Sequence, residues 1–268
     1  MKREQILDLP SMPAASPSYP RGPYRFIDRE YFIVTYESDV AAIREAVPEP
    51  LEPAPGGLVH YEFIRMPDSS GFGDYTESGI VISCTYEGEE CNFTAQMYLN
   101  DESPISGGRE IWGFPKKYAE PKLEVATDTL TGTLHYAGQF VAMGTMTYKH
   151  ESHVHDVQKT YETLQKTNVN LKLIPCVDGR LEIAQIVAYN LAEITVKGSW
   201  TGPARLHLIP HVNAPLSDLP VKRVLGGRHI VADLTLPYGR ILHDYLKEDP
   251  TESENGQKGF VKSETTSA

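Results

Sequence analysis

Positive charge is scarce in this chain. Across 268 residues, 25 lysines and arginines face 36 acids, a formal net charge of −11. Such a balance excludes a polyanionic partner: neither nucleic acid nor an anionic membrane surface is expected to bind. It also means that an anionic substrate would need local positive charge set against an unfavourable global field. Cysteine is scarcer still. Cys84, Cys91 and Cys176 are the complete set, and no two have C-x-x-C spacing. A small, odd number argues against structural zinc and fits free thiols in a reducing cytoplasm. Cys84 and Cys91 flank a turn-like Glu87-Gly88-Glu89 and are expected to face each other across a hairpin. No apolar run reaches the length of a membrane span, and Met1-Lys-Arg-Glu-Gln-Ile carries no hydrophobic stretch of signal-peptide kind. A cytoplasmic protein without membrane contact is therefore expected. Gly-x-Ser-x-Gly and His-Glu-x-x-His are both missing. Gly71-Phe72-Gly73 stands among Asp68, Asp74 and Glu77 with no following Lys-Ser/Thr, so it is not read as a phosphate loop.

What is present reads as one mainly β (β-rich α+β) domain. Residues 1–23 form a Pro-rich arm, in which Pro10, Pro13, Pro17, Pro20 and Pro23 favour extended, wandering backbone over helix. Residues 24–247 form a single domain without composition break or repeat. Residues 248–268, polar and acidic with Phe260 as the one aromatic, are expected to be a disordered tail. Tyr31–Tyr36, Leu58–Ile64 and Ile80–Tyr86 are rich in β-branched and aromatic residues and predict strands. Thr129–Tyr136 and Gln139–Tyr148 predict a hairpin turning on Ala137-Gly138. Further strands are predicted at Leu171–Pro175, Leu181–Val196, Ala204–Ile209 and His229–Leu236. Two helices are expected. One is capped by Ser38 or Asp39, with Val40, Ile43 and Val47 on one face. The other follows Ser152, with Val154, Val157, Tyr161 and Leu164 at helical spacing. Many strands and few helices predict an antiparallel, barrel-like domain with a few short helices. His150 and His153, at helical i, i+3 spacing, cluster with His155 and Asp156; they read as an exposed helix face rather than a metal site.

The chemistry concentrates elsewhere. In Gly113-Phe114-Pro115-Lys116-Lys117-Tyr118, a lysine follows an aromatic residue and a proline inside an apolar, Gly-rich segment. Stripping water from that ammonium lowers its pKa from about 10.4. A neutral amine attacks ketones to form a Schiff base. Arg29, Glu62 and Glu77 are charges set in or beside stretches that otherwise look buried. On a strand, Glu62 shares its face with His60 and Ile64, whereas Tyr61 and Phe63 face the other way. Taken singly, each reads as a solvated charge or a structural ion pair. Taken with Lys116, an arginine and two carboxylates are what a keto-acid site needs.

Six segments then agree, in order, with one family. Tyr19-Pro-Arg-Gly-Pro-Tyr-Arg-Phe26, Asp28-Arg-Glu-Tyr31, Tyr75-Thr-Glu-Ser-Gly79, Arg109-Glu110 with Phe114-Pro-Lys-Lys117, Trp200-Thr-Gly-Pro203 and Asp218-Leu-Pro-Val-Lys222 closely resemble acetoacetate decarboxylase. The likeness runs from about residue 15 to about 247. That family is the standard instance of a lysine activated by desolvation or a neighbouring cation, so the activation is what the resemblance implies. It makes Lys116 the Schiff-base lysine and Lys117 its cationic neighbour. It puts Arg29, Glu62 and Glu77 in the same pocket, with Met97 beside the amine and Phe26 and Phe114 as further substrate-pocket residues. Some members have tyrosine where Phe114 stands. The resemblance further implies a large homo-oligomer and decarboxylation of acetoacetate to acetone and CO2, with no cofactor and no metal. Relatives that keep the lysine but lack the match to Glu77 do aldol or dehydration chemistry. An aldolase or dehydratase of the same superfamily is thus the alternative.

Adjacent strand residues project to opposite faces. The ammonium groups of Lys116 and Lys117 would then lie roughly 10 Å apart, worth about 1.7 kcal/mol at an effective dielectric near 20. Burial shifts a lysine further than that. Burial, rather than Lys117, is expected to do most of the work.

Overall fold

The computed structural model describes residues 1–153 and 155–247. The long strands come first: β1 Tyr24–Glu37, then the two-residue β2 Glu52–Pro53, β3 Leu58–Ser69, β4 Gly73–Tyr86 and β5 Glu89–Leu99. β6 Lys116–Tyr118 and β7 Glu120–Ala126 lead into β8 Thr129–Tyr136, β9 Gln139–Thr147 and the short β10 Glu151–Ser152. The rest are β11 Thr167–Pro175, β12 Leu181–Tyr189, β13 Ala192–Gly202, β14 Ala204–Leu208, β15 Arg223–Leu236 and β16 Arg240–Asp244. Four short helices accompany them: α1 Arg3–Leu7, α2 Val40–Ala46, α3 Glu102–Gly107 and α4 Val157–Gln165. None of the described helices is long and apolar enough to cross a membrane.

Most of the chain lies in one sheet of order β10-β13-β15-β1-β3-β4-β5-β11-β12-β16, with β2 added to β4 and β6 to β5. A four-stranded sheet, β14-β9-β8-β7, packs on one face of it. The fold is mainly β, as the composition implies, but the barrel is not closed: the large sheet ends at β10 on one side and β16 on the other. Nor is it wholly antiparallel. β5 carries two parallel partners on one edge, β11 along Cys91–Phe93 and β6 along Met97–Leu99. Parallel pairing needs a crossover. The one to β6 runs through α3 and a π-helical turn at Gly108–Trp112, in a stretch that reads only as apolar and Gly-rich.

Local rules account for many elements. Asp39 caps α2, its side chain accepting from the backbone N–H of Ala41 and Ala42. Ile43 and Val47 are buried as the spacing predicts, although Val40 is exposed. Ala137 and Gly138 have φ of 50° and 75°, the left-handed pair that a two-residue hairpin requires. Cys84 and Cys91 are paired across the β4–β5 hairpin as buried free thiols. Other expectations are corrected. The arm is not devoid of helix: α1 forms ahead of its first proline, and Tyr19 is buried against the domain. The run Leu181–Val196 breaks at Asn190-Leu191 into β12 and β13. Helix α4 starts at Val157, five residues beyond Ser152, and Val157 is itself exposed. His150 and His153 therefore share no helix: β10 lies between them. Val154 and the tail at 248–268 lie outside the described residues.

The large sheet has two apolar faces. One packs Phe32, Val34, Tyr61, Phe63, Ile80 and Ile82 against Leu130, Leu134, Val141 and Met146 of the smaller sheet. Such aliphatic and aromatic burial contributes about 1.5–3 kcal/mol per side chain. The Phe63 ring seats directly over Gly132, where an added Cβ would fall 2.2 Å from it. The opposite face, with Phe26, Tyr31, Ile64, Tyr75, Met97 and Phe114, encloses a cavity.

Candidate active site

The cavity is about 330 Å³, in the range of small-molecule sites. Alternation along the strands decides its lining. β1 supplies Tyr31, Ile33 and Thr35, and β3 supplies His60, Glu62 and Ile64, whereas Tyr61 and Phe63 go to the other core, as strand periodicity predicts. Two bulges alter the pattern. In β1 the register against β15 shifts between Phe26 and Arg29, where Asp28 has φ 53°. The extra residue puts Phe26 and Arg29 on one face, which a regular strand would forbid. In β5 the register against β4 shifts at Ala95, bringing Met97 to the same face as Asn92 and Thr94. Glu77 lies within β4 rather than in a loop, and Arg29 within β1 rather than before it.

Lys116 opens β6 opposite Met97. The crossover before it is tied down at several points. Asp101 caps α3 through the Ser103 N–H, the Trp112 indole donates to Pro237 O at 3.0 Å, and Asn170 donates to Trp112 O at 3.2 Å. The aliphatic stem of Lys116 runs over Gly108, where a Cβ would come within 2.7 Å of its Cδ. Glycine at 108 is thus a steric condition for the amine's position. The side chain is 6 % exposed. Its Nζ lies 2.6 Å from Glu77 Oε1, 5.1 Å from the Phe114 ring centre and 5.8 Å from that of Tyr75.

Burial dominates the electrostatics. Desolvation pulls the Lys116 ammonium below its ordinary pKa, the Glu77 carboxylate opposes that, and Arg29 adds to it. The Glu62 carboxyl is pushed up to about 7 by burial, with Arg29 opposing and Glu77 assisting. Arg29 remains a cation; its guanidinium lies 4.7 Å from the Tyr31 ring centre and 5.1 Å from that of Phe26. Both the Arg29 Nε and the Tyr31 hydroxyl are buried without a hydrogen-bond partner. Unpaired buried donors are costly, and here they face a cavity that a ligand with acceptor oxygens would fill.

Lys117 goes the other way. Its ammonium donates to Asn213 O at 2.5 Å and sits 4.9 Å from the Tyr136 ring centre, on the far side of β6. The cation that bears on Lys116 is Arg29. The structure thus gathers Lys116, Arg29, Glu62, Glu77, Met97, Phe26 and Phe114 around one cavity and leaves Lys117 outside it. Sequence reasoning missed Tyr189 and Leu164, which line it from β12 and α4; nothing local marks either as more than core. Tyr31 and Tyr75 read as strand and motif residues, without a sign that the Tyr31 ring lies against Arg29 and the Tyr75 ring near the amine.

Comparison with known proteins decides the lineage. Residues 9–246 match the family model described as acetoacetate decarboxylase (ADC). This chain belongs to the acetoacetate decarboxylase family. It is 56% identical over 236 residues to the acetoacetate decarboxylase of Bordetella avium, and 55% identical over 236 residues to that of Acidiphilium cryptum. Each alignment covers 88% of this chain and 95% of the relative. The crystal structure of acetoacetate decarboxylase from Legionella pneumophila superposes with a TM-score of 0.85 at 48% identity, covering 89% of this chain and 94% of that one. The protein is an enzyme of the acetoacetate decarboxylase type.

Proposed function

We propose that the enzyme decarboxylates acetoacetate to acetone and CO2 through an imine on Lys116. The observation that carries this reading is a lysine amine buried at the inner end of a cavity, with burial as the first cause of its lowered pKa. Lys116, as the free amine, adds to the ketone carbon; loss of water from the carbinolamine gives a protonated imine. The C–C bond to the carboxylate then breaks. Its electron pair flows into the imine, CO2 leaves, and an enamine remains. Protonation at carbon restores the imine, and water releases acetone and the amine. The lysine is its own electron sink, so no cofactor enters.

The neighbouring charges divide the remaining work. Arg29, whose Nε lacks a protein partner, pairs with the incoming carboxylate and compensates two nearby acids. Glu77 repels the substrate carboxylate in the ground state, and that repulsion vanishes as neutral CO2 departs. Glu62, with its carboxyl at about 7, exchanges a proton near neutral pH and suits transfer to or from the enamine carbon.

Borohydride with acetoacetate tests the reading, followed by weighing the protein and mapping the modified residue. Reduction after CO2 loss leaves an isopropyl group on Lys116, and reduction before it leaves a group that keeps the carboxylate. Modification elsewhere, or none while CO2 is still released, would refute the imine. Trapping on Lys116 without CO2 release would point to an aldolase or dehydratase.

A further inference from the structure

The cavity has two ends, and Lys116 occupies one. Around Lys116 the lining is buried: Phe26, Tyr75, Met97 and Phe114 are almost inaccessible. At the other end Thr163 of α4 and Lys166 just after it are exposed, so this is the mouth. Carboxylates line only the inner end, as Glu62 and Glu77. The mouth carries two cations, Lys166 and Arg228. Lys166 is neutralised by Glu90 at 2.6 Å. Arg228, on β15, donates from Nη1 to Thr163 Oγ1 at 3.2 Å, and no ion pair to a carboxylate forms among the described residues. Partial burial lowers its pKa, with the field of Asp156 opposing, so an arriving anion would recover part of that desolvation cost.

Register fixes where Arg228 stands relative to Arg29. Arg228 pairs with Ile33, and Arg29 pairs with Ala232, four residues farther along β15. Four strand residues and one strand spacing put the two arginine backbones roughly 14 Å apart. Arg228 therefore stands nearer the mouth and Arg29 nearer Lys116, within a protein whose net charge of −11 repels such an anion.

We propose that Arg228 is an anion-capture residue at the mouth of the cavity, drawing the carboxylate of a small keto acid inward toward Arg29 and Lys116. It takes no part in bond making or breaking. Its contribution is local substrate concentration and encounter rate, which fixed charge at a cleft raises and salt screens. The proposal rests on Lys116 being the reacting amine, so the same ligand class must reach it in charged and uncharged form.

The test compares acetoacetate with neutral acetone. For Arg228→Gln, kcat/KM for CO2 release from acetoacetate should fall about 5- to 10-fold at low ionic strength. The change in kcat should stay within about 2-fold, and the deficit should close at about 0.5 M salt. Arg228→Lys should recover most of the loss. Borohydride trapping of Lys116 by acetone should proceed at the wild-type rate. Thr163→Glu, an exposed change that sets a carboxylate beside the guanidinium, should mimic the loss without disturbing the core. An equal loss toward acetone, a fall confined to kcat, or no loss at low salt would overturn the proposal. Failure of acetone to mark Lys116 in the wild-type enzyme would instead sink the imine reading beneath it, before any variant is made.

Discussion

Lys116 and Lys117 are neighbours in sequence and opposites in setting. One face of β6 points into the buried inner end of a cavity, where the Lys116 amine meets Glu77 and two aromatic rings. The other face leaves the Lys117 ammonium exposed, satisfied by a backbone carbonyl and a tyrosine ring. Three residues of strand suffice to give two identical side chains different chemistry. The contrast teaches that adjacency in a Lys-Lys pair is a poor guide to electrostatic coupling. Alternation sends adjacent strand charges apart, and burial of one of them outweighs the presence of the other.

The contrast is broken most severely by Lys116→Arg, because a guanidinium stays charged in proteins. Turnover should disappear while the fold persists. Activity above a trace would remove Lys116 from the chemistry.

Glu77→Gln should come next, with kcat down by about 10²-fold, or about 2.7 kcal/mol, because the ground-state repulsion that departing CO2 relieves is gone. The carboxylate holds the Lys116 pKa up, so removing it leaves the amine neutral more readily and imine formation should survive. Borohydride should then trap an adduct that retains the substrate carboxylate. No trapping at all would show that Glu77 acts on the amine rather than on the later step.

Arg29→Gln should raise KM or lower kcat by about 10-fold, because the substrate carboxylate loses its buried counter-charge. Unchanged kinetics would return Arg29 to a purely structural role.

The buried titrating groups predict a pH dependence of stability with two limbs. Glu62 is raised to about 7 from 4.5, so the folded state keeps a proton that the unfolded chain has lost, and stability falls as pH rises through that window. His60 is lowered to about 4 from 6.5 by burial, with Lys166 and Arg228 assisting, so stability also falls as pH drops from 6.5 toward 4. Urea unfolding from pH 4 to 9 should show both limbs. Glu62→Gln should flatten only the upper one, and an unaltered upper limb would reassign it.

Much of the fold was legible. Strands rich in valine, isoleucine and tyrosine, the Asp39 cap and the Ala137-Gly138 hairpin follow from local rules, and each appears. The alternation at His60, Glu62 and Ile64 was readable for the same reason. Long-range pairing was not. No local pattern reveals that β6 and β11 share one edge of β5, or that the sheet stays open. The bulges at Asp28 and Ala95 were equally hidden, because each changes side-chain direction without a change in composition. They matter for the site, since they turn Arg29 and Met97 inward. The same limit explains Arg228: on β15 it reads as one more charge in a strand, and only the packing of α4 over the sheet makes it part of a mouth.

The central claim, that burial and not Lys117 sets the reactivity of Lys116, meets its most direct test in a titration of that one amine. The rate at which a neutral acylating reagent modifies Lys116 would be followed against pH in the wild-type enzyme and in Lys117→Gln. The account predicts an amine titrating well below an ordinary lysine in both proteins, with nearly superimposed profiles and kcat within about 3-fold. A Lys117→Gln profile that returns to the ordinary lysine range, with activity lost at neutral pH, would contradict it.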